Sequence, residues 1–299
     1  YNMRVGILTS GGDCQALNAT MRGLALTLYR NVKDVEIIGF IDGYKGLMYE
    51  KYKKMKPKDF YDILNVGGSI LGNSRCPFKR MRIIENGFDK VKAMKNTYKK
   101  LELDCLVVLG GNGSIKSANM LSQEGLNVIA LPKTIDNDAW GTDYTFGYSS
   151  ATAIATRYLD EIKTTAASHS RVFVIEVMGH KVGHICLSAG IAAGADVILL
   201  PEIPYDIKVV AKKVKETLKN EKNYAIIACA EGAISEADAL MKRKDYKAKV
   251  LARNGRSVAY EVADELSQEI DAEIRVSCIG HLPTAIFPIS CRAPAKYIF

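Results

Sequence analysis

Several features that mark specialised protein classes are scarce or missing in this sequence of 299 residues. It contains only four histidines and no Cys-x-x-Cys pair, which argues against a zinc site. No apolar run reaches the roughly 18 residues of a membrane-spanning helix, so we expect no membrane segment. The first eleven residues lack the charged, apolar and small-residue pattern of a signal peptide. We therefore expect a cytoplasmic protein.

The cysteines and the charge balance narrow the class further. The seven cysteines are an odd count, and Cys105, Cys186 and Cys229 lie inside apolar runs, as free buried thiols in a reducing compartment do. The net charge of +8 fits anionic ligands such as sugar phosphates or nucleotides, but it also fits a solvated basic surface. Both interpretations stay open. No nucleic-acid-binding module or stacking pattern of aromatic residues is found, so we expect no nucleic-acid partner.

Short apolar runs, each ending in glycine or a polar turn and followed by a helical pattern, recur along the chain. They are Arg4–Leu8, Val35–Ile41, Cys105–Leu109, Asn127–Leu131, Val172–Val177, Val197–Leu200, Ala225–Cys229 and Arg275–Ile279. Continuous apolar runs are typical of strands covered on both faces, and their alternation with helices predicts an α/β protein with mainly parallel sheets. A division into two domains is expected near Gly147, where a helical stretch over 149–167 begins.

Two glycine-rich turns each follow a predicted strand and run into a predicted helix. They are Ser10-Gly11-Gly12-Asp13 and Gly110-Gly111-Asn112-Gly113-Ser114. Glycine lets the backbone approach a phosphate, and the helix that follows offers free N–H groups and the positive end of its dipole. Neither turn has the Walker A spacing or the dinucleotide pattern G-x-G-x-x-G. We therefore expect phosphate binding by a different arrangement.

Two carboxylates and a lysine follow the strand that succeeds the second glycine turn. The segment is Leu131-Pro132-Lys133-Thr134-Ile135-Asp136-Asn137-Asp138. In open α/β sheets ligands bind beyond the carboxyl ends of strands, so one aspartate is well placed to take a proton and the other to hold a metal. The segment predicts phosphoryl transfer.

Polar residues also mark the ends of later strands. Glu176-Val177-Met178-Gly179-His180 closes one strand that Arg171 opens, and Glu231 closes another. Arg275 and His281 flank the last predicted strand, an arrangement that suits a sugar phosphate. Core packing is the commoner role of a lone methionine such as Met178.

These motifs, in this order, resemble the ATP- and pyrophosphate-dependent 6-phosphofructokinases across nearly the whole chain, most closely the short bacterial ATP-dependent type. The supporting segments are 6–13, 67–75, 134–138, 141–145, 168–171, 176–179 and 192–196. The resemblance implies two doubly wound αβα domains with the active site in the cleft between them. Residues 1–147, rejoined by 284–299, would bind ATP, and residues 148–283 would bind fructose 6-phosphate.

The resemblance also implies a role for each matching residue. Asp136 would be the general base, with Thr134 beside it. Asp138 and the residue at position 112, here Asn112, would bind Mg²⁺. The nucleotide phosphates are held by Gly12, Arg75, Cys76, Gly111, Asn112, Gly113 and Ser114. Fructose 6-phosphate is held by Thr134, Asp136, Met178, Gly179, His180, Glu231 and His281, and by Arg171 and Arg275 of a neighbouring subunit. The implied assembly is a homotetramer, a dimer of dimers, that phosphorylates fructose 6-phosphate in glycolysis.

Departures from the family pattern leave alternatives open. Asn112 stands where the family has a metal-binding Asp, His180 stands for an arginine, and the Gln-Arg-Gly-Gly segment expected after His281 is absent. A catalytically impaired paralogue that binds ligands, or that pairs with an active subunit, therefore remains an alternative. Gly113 favours ATP as the donor, whereas Lys133 is typical of pyrophosphate users.

The effector site of the bacterial enzymes is only partly matched by this sequence. Its candidate residues are Arg22, Lys163 and Asp196.

Overall fold

The computed structural model describes residues 2–220 and 222–281. These residues form two compact units, 2–150 and 151–281. Each unit carries its own parallel or mainly parallel sheet with helices between the strands. The expectation of two α/β domains is thus confirmed, whereas their assignment to ATP and to fructose 6-phosphate stays a prediction. The predicted return of residues 284–299 to the first domain lies outside the described residues.

The first unit is built on a six-stranded sheet in the order β3-β2-β1-β4-β5-β6. Its elements are β1 Arg4–Ser10, α1 Leu17–Asn31, β2 Glu36–Phe40, α2 Tyr44–Met48, β3 Tyr52–Met55, α3 Lys90–Lys100, β4 Cys105–Gly110, α4 Asn112–Gln123, β5 Val128–Thr134 and β6 Phe146–Gly147, with short 3₁₀ turns at Pro57–Phe60 and Phe78–Arg80. After β1 the chain first builds to one side of that strand and then to the other. The carboxyl ends of β1 and β4 therefore flank a topological switch point, where ligands of open α/β sheets bind.

Burial explains why these residues form this sheet. β4 is buried along its whole length and β1 from its second residue onward, which continuous apolar runs make favourable. One core cluster joins Leu8 of β1, Phe40 of β2 and Leu106 of β4 to Tyr44 and Met94 of the covering helices. The sheet thus holds the carboxyl ends of its central strands in fixed register.

Sequence patterns predicted neither β3 nor the two-residue strand β6, and β3 is the longer of the two. It is a four-residue edge strand that pairs antiparallel with β2, and only Met55 within it is buried. Lys53 and Lys54 face solvent and belong to a lysine-rich stretch that offers no apolar signal. Charged residues on an edge strand discourage pairing with another chain.

The second unit is built on a four-stranded, all-parallel sheet in the order β10-β7-β9-β8. Its elements are α5 Tyr148–His169, which begins in the last residues of the first unit, β7 Val172–Val177, α6 His184–Ala192, β8 Val197–Leu199, α7 Ile207–Lys219, β9 Ala225–Ala230, α8 Glu236–Ala239, α9 Arg243–Ala252, α10 Val258–Ser267 and β10 Ile274–Cys278. Asp206 and Ser257 begin α7 and α10 by accepting backbone N–H hydrogen bonds. Within the described residues no helix is both long and apolar enough to cross a membrane.

Candidate active site

The three loops that the sequence marks for phosphate chemistry lie at the carboxyl ends of neighbouring strands of the first sheet. Ser10 of β1 pairs with Gly110 of β4, and Gly110 in turn pairs with Pro132 of β5. A methyl group placed on Gly111 would lie 3.9 Å from Cβ of Thr134. The glycine turns and the aspartate segment, which are far apart in sequence, therefore form one group of loops, which we call the loop cluster (residues 10–14, 72–76, 110–114 and 133–138).

Lys133 lies at the centre of the loop cluster. Its side chain is only 3% exposed, and Nζ donates a hydrogen bond to the carbonyl oxygen of Gly12. Burial lowers the pKa of Lys133, and the nearby carboxylate of Asp136 opposes that shift. The lysine thus places a buried positive charge between the first glycine turn and the proposed base.

Main-chain contacts bring Arg75 to the first glycine turn. The Gly11 amide donates to the carbonyl oxygen of Ser74 at 3.3 Å, and Thr9 Oγ1 donates to that of Gly72 at 2.9 Å. A methyl group on Gly12 would lie 3.9 Å from a terminal nitrogen of Arg75. Gly11 has φ +93°, a conformation that other residues adopt only with strain. Gly12 and Arg75, both expected to bind the nucleotide phosphates, therefore lie close together, and that role stays a prediction.

Asn112 contacts Asp138 directly. Its Nδ2 donates to Asp138 Oδ2 at 2.8 Å and to the Asp138 carbonyl oxygen at 3.2 Å. In this orientation Asn112 presents its N–H groups to Asp138, and its role beside a metal stays a prediction.

The donor set fits magnesium carried by a nucleotide. Among the described residues, no group of three or more His, Cys, Asp and Glu side chains is arranged to hold a metal. Mg²⁺ is commonly bound by one or two carboxylates together with substrate phosphates and water. Asp138 is exposed at the carboxyl end of the sheet and supplies one such carboxylate.

A short loop beyond the aspartates is closed by the side chain of Asn137. Asn137 accepts from the Thr145 amide at 2.8 Å and donates to the Asp143 carbonyl oxygen at 3.1 Å. Thr145 Oγ1 also donates to the Thr134 carbonyl oxygen at 2.8 Å, and the Asp136 amide donates to Thr134 Oγ1 at 3.1 Å. These bonds hold both aspartates on a braced segment.

The remaining residues predicted to bind nucleotide differ in their surroundings. Around Gly113 an added methyl group would meet no atom within 4 Å, which leaves open space beside the second glycine turn. Ser114 is buried, and its carbonyl oxygen accepts from the hydroxyl of Tyr44 at 2.8 Å. Cys76 packs against the core cluster, with Sγ 3.9 Å from Ser74 Oγ. Tyr44 had no sequence signal, because its partner lies seventy residues away.

In the second unit, the residues predicted to hold the sugar phosphate follow the ends of β7, β9 and β10. The Glu231 amide donates to the Val177 carbonyl oxygen at 2.9 Å, and His180 Nδ1 lies 3.9 Å from Glu231 Oε1. A methyl group on Gly232 would lie 2.5 Å from the His180 carbonyl oxygen, so only glycine fits there. Met178, Gly179, His180 and Glu231 therefore form one group, which we call the strand-end group. His281 follows β10 at the same edge of the sheet and is exposed.

The two predicted arginines lie near the amino ends of β7 and β10, opposite to the carboxyl ends that the strand-end group follows. Arg171 precedes β7 and Arg275 is the second residue of β10, whereas His281 comes after that strand has ended. Arg275 and His281 therefore lie toward opposite ends of β10, and their joint role at a sugar phosphate stays a prediction. The expectation that the two arginines serve a neighbouring subunit stays a prediction.

Arg171 and Arg275 share one carboxylate that the sequence did not single out. Arg171 Nε donates to Glu273 Oε2 at 2.8 Å, and Arg275 Nη2 contacts Glu273 Oε1. Hydrogen bonding by Arg171, and the charges of both arginines, hold the pKa of Glu273 below its usual value. We call these three residues the arginine cluster.

The predicted effector residues are engaged within the chain. Arg22 Nε donates to the Tyr61 carbonyl oxygen at 3.2 Å. Lys163 pairs with the carboxylate of Asp160 at 2.8 Å. Asp196 accepts from Lys222 Nζ and from the Ile226 amide, both at 2.8 Å. An effector at these positions would have to compete with existing contacts.

Comparison with known proteins decides the family. The model of the family described as Phosphofructokinase matches residues 4–291. The chain belongs to the phosphofructokinase family. It is 48% identical over 281 residues to a protein of Spirochaeta thermophila named ATP-dependent 6-phosphofructokinase, covering 93% of this chain and 76% of that protein. It is 42% identical to ATP-dependent 6-phosphofructokinase 3 of Bacteroides thetaiotaomicron, covering 94% of this chain and 78% of that protein.

Solved structures of phosphofructokinases share the fold. The phosphofructokinase of Saccharomyces cerevisiae superimposes with a TM-score of 0.82 at 28% identity, over 97% of this chain. That of Pichia pastoris, in the T-state, gives 0.80 at 28% identity, over 96% of this chain. The chain spans 39% and 30% of the length of these two yeast chains. The predicted family and α/β architecture are confirmed.

Proposed function

We propose that this phosphofructokinase phosphorylates fructose 6-phosphate with MgATP to give fructose 1,6-bisphosphate. The observation that carries the proposal is the loop cluster, in which two glycine turns, Arg75, Lys133 and the aspartate segment meet at one sheet edge. The names of the bacterial relatives, both ATP-dependent 6-phosphofructokinases, support the same donor and substrate.

The proposed reaction is an in-line phosphoryl transfer with general-base help. Asp136 takes the proton of the sugar 1-hydroxyl while that oxygen forms a bond to the γ-phosphorus. The bond from the γ-phosphorus to the β–γ bridging oxygen breaks, and ADP leaves with that electron pair. Arg75 and the buried Lys133 offer positive charge to the phosphate oxygens as charge shifts among them.

Asp138 would hold the magnesium ion of MgATP, and Asn112 would keep its carboxylate in place. The ion supplies neutralisation of phosphate charge when it is bound. The glycine turns 10–13 and 110–114 offer backbone N–H groups to the phosphates, and the start of α4 adds the positive end of its dipole. Positioning and charge, rather than covalent chemistry, are what this site supplies.

Fructose 6-phosphate is assigned to the second unit. The strand-end group and His281 would bind the sugar, with Glu231 accepting hydrogen bonds from its hydroxyl groups. Arg171 and Arg275, at the opposite edge of the sheet, would bind the 6-phosphate held by a neighbouring chain. The proposal therefore requires a homo-oligomer, and we favour a dimer of dimers in the cytoplasm.

A donor assay tests this proposal. Purified protein with fructose 6-phosphate and Mg²⁺ is expected to form the bisphosphate with ATP and not with pyrophosphate, because Gly113 leaves open space beside the second glycine turn. Calorimetry with each donor supplies the matching binding data. Turnover with pyrophosphate alone would make pyrophosphate the donor and Lys133 the residue that decides it. Ligand binding without turnover would make the chain a non-catalytic member of the family.

A further inference from the structure

In the arginine cluster, Glu273 bridges Arg171 and Arg275 near the amino ends of two strands of the second sheet. β7 and β10 are neighbours, with Val172 opposite Ile274, and the Val172 amide donates to the Glu273 carbonyl oxygen at 3.0 Å. The backbone therefore brings the three side chains together. Each carboxylate oxygen of Glu273 contacts a different guanidinium group.

The cluster keeps a net positive charge and stays open to solvent. Two guanidinium groups face one carboxylate, and the charge of the nearby His169 also acts on Glu273. The side chains of Arg171, Glu273 and Arg275 are 24%, 44% and 55% exposed. A dianionic phosphate can therefore reach both arginines without any residue being displaced from the core.

The contact that Glu273 makes leaves the binding face of Arg171 available. A guanidinium group carries five N–H donors, and Glu273 engages Arg171 through Nε. Within the described residues, neither terminal nitrogen of Arg171 forms a hydrogen bond. These are the atoms that bind a phosphate in the two-pronged manner typical of arginine.

We propose that Glu273 is a positioning residue that holds Arg171 and Arg275 side by side for the phosphate of a sugar phosphate bound by a neighbouring chain. The inference rests on the proposed function, which assigns the two arginines to the 6-phosphate. Without the carboxylate, two like charges repel each other and two long side chains regain rotamer freedom. The phosphate must then order them at the moment of binding, which weakens affinity.

Substitutions of Glu273 test the inference. Glu273→Ala removes both contacts, Glu273→Gln keeps an acceptor without the charge, and Glu273→Asp keeps the charge on a shorter side chain. The KM for fructose 6-phosphate is expected to rise about three- to tenfold in Glu273→Ala and less in Glu273→Gln, because exposed ion pairs contribute modestly. Glu273→Asp restores part of the loss. The value of kcat and the KM for ATP stay at the parent level.

A matched control is the exposed pair Arg157–Glu161, whose N–O distance is also 2.8 Å. Glu161→Ala is expected to leave the KM for fructose 6-phosphate unchanged. Calorimetric titration of each variant with fructose 6-phosphate, and thermal unfolding, separate binding from folding.

The outcomes are distinct. A parent that neither binds nor phosphorylates fructose 6-phosphate removes the proposed function and this inference with it. An active parent whose Glu273 variants bind the sugar phosphate as the parent does, or more tightly, overturns the inference alone. A parallel loss of kcat, ATP affinity and thermal stability also overturns it, because Glu273 would then support folding rather than the arginines.

Discussion

The two groups of candidate site residues are organised by different forces. In the loop cluster the partners are mostly main-chain carbonyl oxygens, as in the contacts Lys133 to Gly12, Thr9 to Gly72 and the Gly11 amide to Ser74. In the second unit side-chain contacts are more prominent: His180 Nδ1 lies 3.9 Å from Glu231 Oε1, and Glu273 bridges two arginines. Main-chain contacts of the sheet organise the first group, whereas in the arginine cluster of the second unit one exposed carboxylate pairs with two guanidinium groups.

This difference predicts how each group responds to perturbation. Main-chain contacts survive most single substitutions, so a change in the loop cluster removes a chemical group from a site that otherwise keeps its shape. Exposed ion pairs are weak and screened by salt, and a charged ligand can share their members. We expect large changes in turnover from the first unit and graded changes in affinity from the second.

The largest effect is expected from Asp136→Asn. An amide cannot accept the proton of the sugar hydroxyl, and general-base help contributes roughly 10²–10⁴-fold to such a step. Turnover should fall by that factor while ATP binding, followed by calorimetry, stays at the parent level. Asp143→Asn is the control, since Asp143 lies in the same braced loop but contributes only its carbonyl oxygen to it. Equal turnover in Asp136→Asn and the parent would remove the assigned role.

A smaller effect, about tenfold in the Mg²⁺ concentration required, is expected at position 112. Asn112→Asp places a second carboxylate beside Asp138, which should lower the Mg²⁺ requirement and raise turnover. Asn112→Ala removes the group that orients Asp138 and should raise the requirement. Thermal unfolding with and without MgATP gives a readout that does not depend on turnover. An unchanged Mg²⁺ requirement in Asn112→Ala would exclude the positioning role.

How far the sequence predicted these groups depends on the distance between partners. Continuous apolar runs predicted the central strands because burial on both faces leaves a local pattern, whereas β3 went unpredicted because its lysines carry no such pattern. The glycine turns and the aspartates were visible as contiguous motifs. Tyr44 and the bridging contact of Glu273 were not, because their partners are about 70 and 100 residues away. The sheet edge on which each residue lies also required the strand register.

Raising the ionic strength is expected to change the two substrates unequally. Going from about 0.05 to about 0.5 M salt shortens the screening length several-fold, which weakens exposed pairs more than buried ones. The KM for fructose 6-phosphate should rise a few-fold, and that for MgATP should rise less, because Lys133 is buried. Glu273→Ala should show a shallower salt dependence for the sugar phosphate than the parent. A steeper dependence for MgATP would contradict the division drawn above.

The smallest effect on turnover is expected from thiol modification, which compares access to the two groups. Burial raises the pKa of Cys14, beside the first glycine turn, to about 11, so the thiol stays protonated near neutral pH and its reactive thiolate is scarce. Cys278, at the end of β10, is exposed. A thiol reagent at pH of about 8 should label Cys278 within the folded protein, and Cys14 only after unfolding.

Peptide mapping of the parent and of Cys278→Ser identifies the labelled sites, and Cys14→Ser provides the reciprocal control. Turnover should change little on labelling, because Cys278 belongs to neither the strand-end group nor the arginine cluster. Rapid labelling of Cys14 in the folded protein would show that the loop cluster opens readily, and the contrast between a backbone-held group and a charge-held group would then fail.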